Sequence, residues 1–181
     1  MKKVLLFFAN GTEEIEALTV VDILRRAGAD VTVAGVGGKE LIGSHAIRIT
    51  ADIDAEALTS FDYDMVVVPG GLPGTTHLDE SEIVERALSA VHEKGGYLAA
   101  ICAAPLVLGK RGYLIGKNAT CYPGFDSYLK GARLLGKRVC VDGSIITGAG
   151  MGAALDFSLA LAEVLFGAEK AASLRSAVIA D

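Results

Sequence analysis

At 181 residues, with 51% hydrophobic and 22% charged, the chain has the length of one domain and enough apolar material for a sizeable core. Its net charge of −5, with nothing more basic than isolated pairs such as Lys2-Lys3 and Arg25-Arg26, excludes a nucleic-acid surface, which needs clustered cations to neutralise phosphate. The longest apolar run, Tyr97 to Leu108, falls well short of the roughly 20 residues of a membrane-spanning helix, so no membrane partner is expected.

Lys3 to Ala9 is a continuous apolar run, suited to a strand buried on both faces. Its resemblance to a signal peptide fails because the apolar part is short and Glu13, Glu14 and Glu16 follow at once. After the turn Asn10-Gly11-Thr12, the spacing of Ile15, Leu18, Val21 and Leu24 predicts a helix over Glu13 to Ala27, capped by Asn10 or Thr12 and stopped by Gly28. Asp30 to Val36 reads as a second strand, and alternation at Ile47, Ile49 and Ala51 as a short strand or hairpin within Leu41 to Ile53. Met65 to Val68 is a buried strand closed by Pro69-Gly70-Gly71, followed by a helix over Ser81 to Lys94 and a strand over Tyr97 to Ile101. A short helix from Ala103 to near Gly109, strands at Asn118 to Tyr122 and Ser144 to Thr147, and helices over Met151 to Phe166 and Ala168 to Ala177 complete the chain. Strands alternating with helices predict a flavodoxin-like three-layer α/β sandwich, with a mostly parallel sheet covered on both faces, spanning 1–181 as a single domain. Ligands of such sheets bind at the carboxyl ends of the strands, which here gather the loops at Asn10, Gly70, Cys102, Tyr122 and Gly148.

The chemistry expected at that edge is a thiol. In Ala99-Ala100-Ile101-Cys102-Ala103-Ala104-Pro105 an apolar strand meets a cysteine, small residues and a proline suited to a first helical turn. This is the pattern of a nucleophile elbow, in which a sharp turn exposes one side chain. A helix N-terminus would lower the thiol pKa. The alternative is a cysteine packed inertly among alanines, the ordinary state of a free thiol. No histidine follows Cys102, so a Cys-His-Glu triad in amidotransferase order is excluded. Glu16, one turn into the first helix, is an acid at the same edge, either a partner for the thiol or simply a first-turn partner of the helix dipole, the ordinary role of such a residue. A carboxyl held protonated by burial can donate to a thiolate. Phosphate cofactors are not expected: the first turn is crowded with glutamates, and Gly148-Ala149-Gly150-Met151-Gly152 lacks a downstream ribose-binding acid. Cys102, Cys121 and Cys140 show no metal-ligand spacing, and their odd number argues for a reducing, cytoplasmic setting.

Taken together and in order, Glu13-Glu14-Ile15-Glu16, Val68-Pro69-Gly70-Gly71, the Cys102 segment, and Arg26-Ala27-Gly28 with Val31 to Gly35 resemble the ThiJ/PfpI superfamily, in particular its DJ-one branch. The resemblance covers nearly the whole chain. It implies that Cys102 is a nucleophile, Glu16 its protonated partner, and the N–H groups of Gly71 and Ala103 an oxyanion pocket. It implies no cofactor and a homodimer with its site near the interface. It also implies glutathione-independent conversion of methylglyoxal to lactate and repair of early glycation adducts. In other members the same cysteine is an oxidation sensor, the alternative reading here.

Three departures from the family's patterns, at four positions, matter. Ala103 stands where the protease branch has a histidine, so proteolysis is not expected. Tyr122 stands where the DJ-one branch has a histidine, and a phenol of pKa near 10 is a poor proton shuttle at neutral pH. His45 and Ala149 occupy the places of two arginines. Gly70, Tyr122 and His45 are the candidate pocket residues, and Cys121 and Cys140 the packing cysteines.

Overall fold

The computed structural model describes residues 1–180. In chain order the elements are β1 (Lys3–Ala9), α1 (Glu14–Ala27), β2 (Asp30–Val36), β3 (Glu40–Ile42), β4 (Arg48–Thr50), β5 (Ile53–Asp54), β6 (Met65–Val68), α2 (Gly74–Asp79), α3 (Glu82–Glu93), β7 (Tyr97–Ile101), α4 (Pro105–Lys110), β8 (Asn118–Ala119), β9 (Arg133–Leu134), β10 (Val139–Asp142), β11 (Ile145–Gly148), α5 (Ala154–Phe166) and α6 (Ala168–Ala177). The main sheet has seven strands in the order β10-β11-β7-β6-β1-β2-β5. All its neighbours run parallel except β10, which returns antiparallel beside β11.

The pleat explains why β1 is apolar at every position from Val4 on. Val4, Leu6 and Phe8 point to one face, where α1, α5 and α6 bring Val20, Leu24, Phe157, Leu161 and Leu174. Leu5, Phe7 and Ala9 point to the other, against Leu78 of α2, Val84 and Leu88 of α3, and Val107 of α4. A strand with helices over both faces has no solvated side to spend polar residues on. The result is the flavodoxin-like α/β sandwich expected from the sequence.

Several expectations need correction. Neither Asn10 nor Thr12 caps α1. Asn10 Oδ1 accepts from the Ile42 N–H and Thr12 Oγ1 from the Ala9 N–H, so both are already engaged. The cap is Glu13, whose carboxylate accepts from the Glu16 N–H at 2.7 Å. Gly28 does end the helix, at φ 98°, the left-handed conformation that glycine adopts most readily. The segment Leu41 to Ile53 splits: β3 and β4 form a separate antiparallel hairpin, while Ile53 opens the edge strand β5. α2 was not foreseen, being too short to show helical periodicity. The strand expected over Asn118 to Tyr122 stops at Ala119, pairing with β9 outside the main sheet. β10 was also not anticipated. The last-but-one helix begins with a 3-10 turn over Met151–Ala153 before α5.

Candidate active site

Four chain segments leave the carboxyl ends of β1, β6, β7 and β11 and meet around Cys102. The turn from β7 into α4 places Cys102 at φ 64°, a left-handed conformation that is strained for a non-glycine residue. Its backbone is held from two sides. The Cys102 N–H donates to Gly148 O at 2.9 Å, and Cys102 O accepts from the Tyr122 N–H at 2.8 Å. Strain of this kind persists only where the surroundings over-determine it.

Glu16 arrives from the first turn of α1 and is fully buried. Its Oε2 accepts from the Gly70 N–H at 2.9 Å. Its Oε1 is buried without a well-formed hydrogen bond, and the group the carboxyl couples to is the Cys102 thiol. Gly70 lies between the two. A Cβ there would come within 2.6 Å of both Cys102 Cβ and Glu16 Oε2, so only glycine lets acid and thiol approach.

Burial raises Glu16 from 4.5 to about 7, against the opposing hydrogen bonds from Cys102 and Gly70; the nearby Glu13 charge adds to the rise. Burial likewise pushes the Cys102 thiol up to about 12, reinforced by charge on Glu16. The Ala103 and Gly71 N–H groups pull it down. The low thiol pKa expected from a helix N-terminus is therefore not what the site provides, because α4 starts only at Pro105 and the thiol is desolvated. The two groups titrate as a unit. Between about 7 and about 12 they hold one proton between them. That proton sits either on the acid, leaving a thiolate, or on the sulfur, leaving a carboxylate.

Of the residues singled out from the sequence, Cys102, Glu16, Gly70, Gly71 and Ala103 come together in this one cluster. Tyr122 is joined to it through its backbone. Its ring is exposed, lies edge-on to Phe125, and flanks the backbone at Gly150. His45 faces elsewhere. Its ring Nδ1 lies 2.9 Å from Glu14 Oε2, its backbone N–H donates to Glu14 Oε1 at 2.7 Å, and the ring is largely in solvent. The hydrogen bond to Glu14 raises the His45 pKa. Burial works to raise Glu14, but the His45 bonds outweigh it and Glu14 lies below its ordinary value. The pair pins the β3–β4 hairpin to the start of α1. Glu13, Glu14 and His45 place one ligand atom each within 4.8 Å, but both Glu14 oxygens are already engaged and the helix N-terminus disfavours a cation. Cys121 packs with the cluster on the opposite face of the sheet from the one Cys102 touches, and Cys140 is buried. Sequence reading placed Gly148 among the loops at this edge and at the head of a glycine-rich run, but did not single it out as the carbonyl that fixes the elbow.

The chain is 41% identical over 98% of its residues to Protein DJ-1 homolog B of Arabidopsis thaliana, of whose length it spans only 41%. It is 33% identical to the glutathione-independent glyoxalase DJR-1.2 of Caenorhabditis elegans, with 90% of this chain and 87% of that protein aligned. The oxidized DJ-1 structure from Toxoplasma gondii superposes with a TM-score of 0.93 at 35% identity, covering 99% of this chain and 98% of that one. Among the described residues no helix is long and apolar enough to cross a membrane. With residues 2–164 matching the profile of the DJ-1/PfpI family, a family that includes glyoxalase-type enzymes, the chain belongs to that family.

Proposed function

We propose that the chain is a cysteine-dependent enzyme that turns small 2-oxoaldehydes into 2-hydroxy acids without glutathione, and that opens early glycation adducts by the same attack. The observation that carries the reading is the fully buried Glu16 carboxyl, held by the Gly70 N–H and separated from the strained Cys102 elbow only by that glycine. The sulfur of the thiolate form adds to the aldehyde carbon. A C–S bond forms, the C=O π pair moves onto oxygen, and the two N–H groups stabilise that oxyanion until Glu16 protonates it. The Glu16 carboxylate then takes the proton from the former aldehyde carbon and returns it to the neighbouring carbonyl carbon, while the hydroxyl proton passes from the first oxygen to the second, leaving a 2-hydroxy thioester on Cys102. Water hydrolyses the thioester, releasing the hydroxy acid and restoring the thiol. The net change is addition of one water, with no external oxidant or reductant. The C. elegans relative named a glutathione-independent glyoxalase supports this reading.

The active unit we propose is a single domain over 1–181, working in a reducing, cytoplasmic setting as a homodimer. The second copy fits a groove of about 640 Å³ beside α1, where Ile15, Leu18, Ile47 and Leu155 present apolar surface. The test is lactate formation from methylglyoxal without glutathione, for wild type beside Cys102→Ala. Cysteine-dependent lactate supports the proposal; equal activity in Cys102→Ala ends it. A second reading is oxidation sensing, favoured by the unpartnered Glu16 Oε1 and the two N–H donors, which would hold a sulfinate, and by the oxidized T. gondii relative. Gain of two oxygens on Cys102 after mild peroxide, with no lactate from wild type, would select it.

A further inference from the structure

The rim of the site differs in character from its floor. The floor is polar, made of the Gly71 and Ala103 N–H groups and the Glu16 carboxyl. The rim carries large apolar side chains standing in water: Leu72 is 55% exposed, Tyr122 51% and Met151 50%. Each lies on a segment that meets Cys102. Leu72 follows Gly70-Gly71, where Gly70 lies against the Cys102 side chain and the Gly71 N–H lowers the thiol pKa. Tyr122 donates its own N–H to Cys102 O. Met151 follows Gly150, the residue that the Tyr122 ring flanks, on the loop whose Gly148 carbonyl accepts the Cys102 N–H.

The charged groups that act on the reacting pair are all acidic, and the Arg138 guanidinium, on the carbonyl of Gly152 beside Met151, is already paired with Asp156. Glu16 is the charged group acting on Cys102, and Glu13 is the charged group acting on Glu16. Glu14 is buried one residue away in the same helical turn. His45 is bound to Glu14 and answers that charge alone. No lysine or arginine acts on either reacting group among the described residues. A carboxylate or phosphate on the substrate would add like charge to a desolvated site that already carries a shared negative charge. An apolar substituent would instead cover Leu72, Tyr122 and Met151 and remove their surface from water.

Resting on the glyoxalase reading, we infer that the site takes neutral 2-oxoaldehydes with a bulky apolar substituent, such as an aryl or branched alkyl group. It disfavours anionic ones, with Leu72, Tyr122 and Met151 as the residues that set the preference. The dicarbonyl end sits on the N–H groups and the apolar end lies on the rim.

The experiment compares phenylglyoxal with methylglyoxal for wild type and for a Leu72→Asn/Met151→Gln double variant. It also compares Cys102 labelling by N-benzyl iodoacetamide, iodoacetamide and iodoacetate, each normalised to its rate with free cysteine and read on the Cys102 peptide. The expected result is a kcat/KM for phenylglyoxal at least tenfold above that for methylglyoxal, falling at least fivefold relative to methylglyoxal in the double variant. N-benzyl iodoacetamide should label at least fivefold faster than iodoacetamide, and iodoacetate at least tenfold slower. Turnover of methylglyoxal without preference for phenylglyoxal overturns this inference and leaves the glyoxalase reading standing. Turnover of neither aldehyde overturns the glyoxalase reading, and the labelling order then decides the rim's preference by itself. Equal normalised labelling by the three reagents overturns that preference.

Discussion

Two strand-to-helix junctions supply the two halves of the reacting pair, and they are built in opposite ways. At the β1–α1 junction every local demand is met. Thr12 Oγ1 takes the Ala9 N–H, Glu13 caps the helix, and the early glutamates suit its positive end. At the β7–α4 junction the chain is uncapped by any side chain, Cys102 is forced to φ 64°, and distant segments hold it there. The relaxed junction presents the acid and the strained one presents the thiol. Local stability fixes one partner so that strain can be concentrated on the other, where exposure of a side chain requires it.

Four experiments would break or sharpen this contrast. The largest effect concerns the acid. Because Glu16 is raised from 4.5 to about 7, its contribution to stability is full below 4.5 and is lost as pH rises to about 7. Glu16→Gln should remove that loss and stabilise the protein by about 3 kcal/mol at pH 8 relative to pH 4. It should also erase the step near pH 7 in the rate of Cys102 alkylation. Urea unfolding at the two pH values with no change in their difference would count against a protonated Glu16.

Gly70→Ala pushes a methyl group between the partners and should cost about 2 kcal/mol while slowing alkylation several-fold. A variant as stable and as reactive as wild type would mean that the approach of acid and thiol is not set at this glycine. At the strained junction, Cys102→Gly should be more stable than Cys102→Ala by roughly 1 kcal/mol, since both lose the sulfur but only glycine relieves the left-handed backbone. The reverse order would remove the strain argument. At the relaxed junction, Glu13→Ala should cost about 1 kcal/mol through the lost cap. It should also lower the pH of the alkylation step, because the Glu13 charge contributes to raising Glu16. A step that moves upward would refute that coupling.

The strands were legible where burial on both faces leaves no choice of residue: β1, β2, β6 and β7 have the bounds their apolar runs imply. What escaped was structure defined by partners rather than by pattern. β9 acquires its identity from β8 across a long loop, β8 itself stops at Ala119 instead of Tyr122, β10 is a short hairpin arm beside β11, and α2 has too few turns to show a period. In the site, the thiol and the acid stood out because an apolar strand ending in cysteine and an acid in a first helical turn are local signals. Their mutual desolvation was not legible. The thiol pKa was expected to fall from helix placement, but burial depends on what β6 and α1 bring up against Cys102. His45 stood out as a pocket candidate, and only the folded hairpin reveals that Glu14 claims it.

The sheet order has a consequence for the life of the chain before it is folded. β6 lies between β1 and β7, so Glu16 and Cys102 meet only after β6 has been inserted between the strands that carry them. Contacts of such wide sequence separation form late. Until then Cys102 is an ordinary solvated thiol with no buried acid beside it and no N–H groups gathered at its sulfur. A nascent or unfolded chain thus carries the residue without its tuned chemistry, and the reactivity switches on as a readout of completed folding.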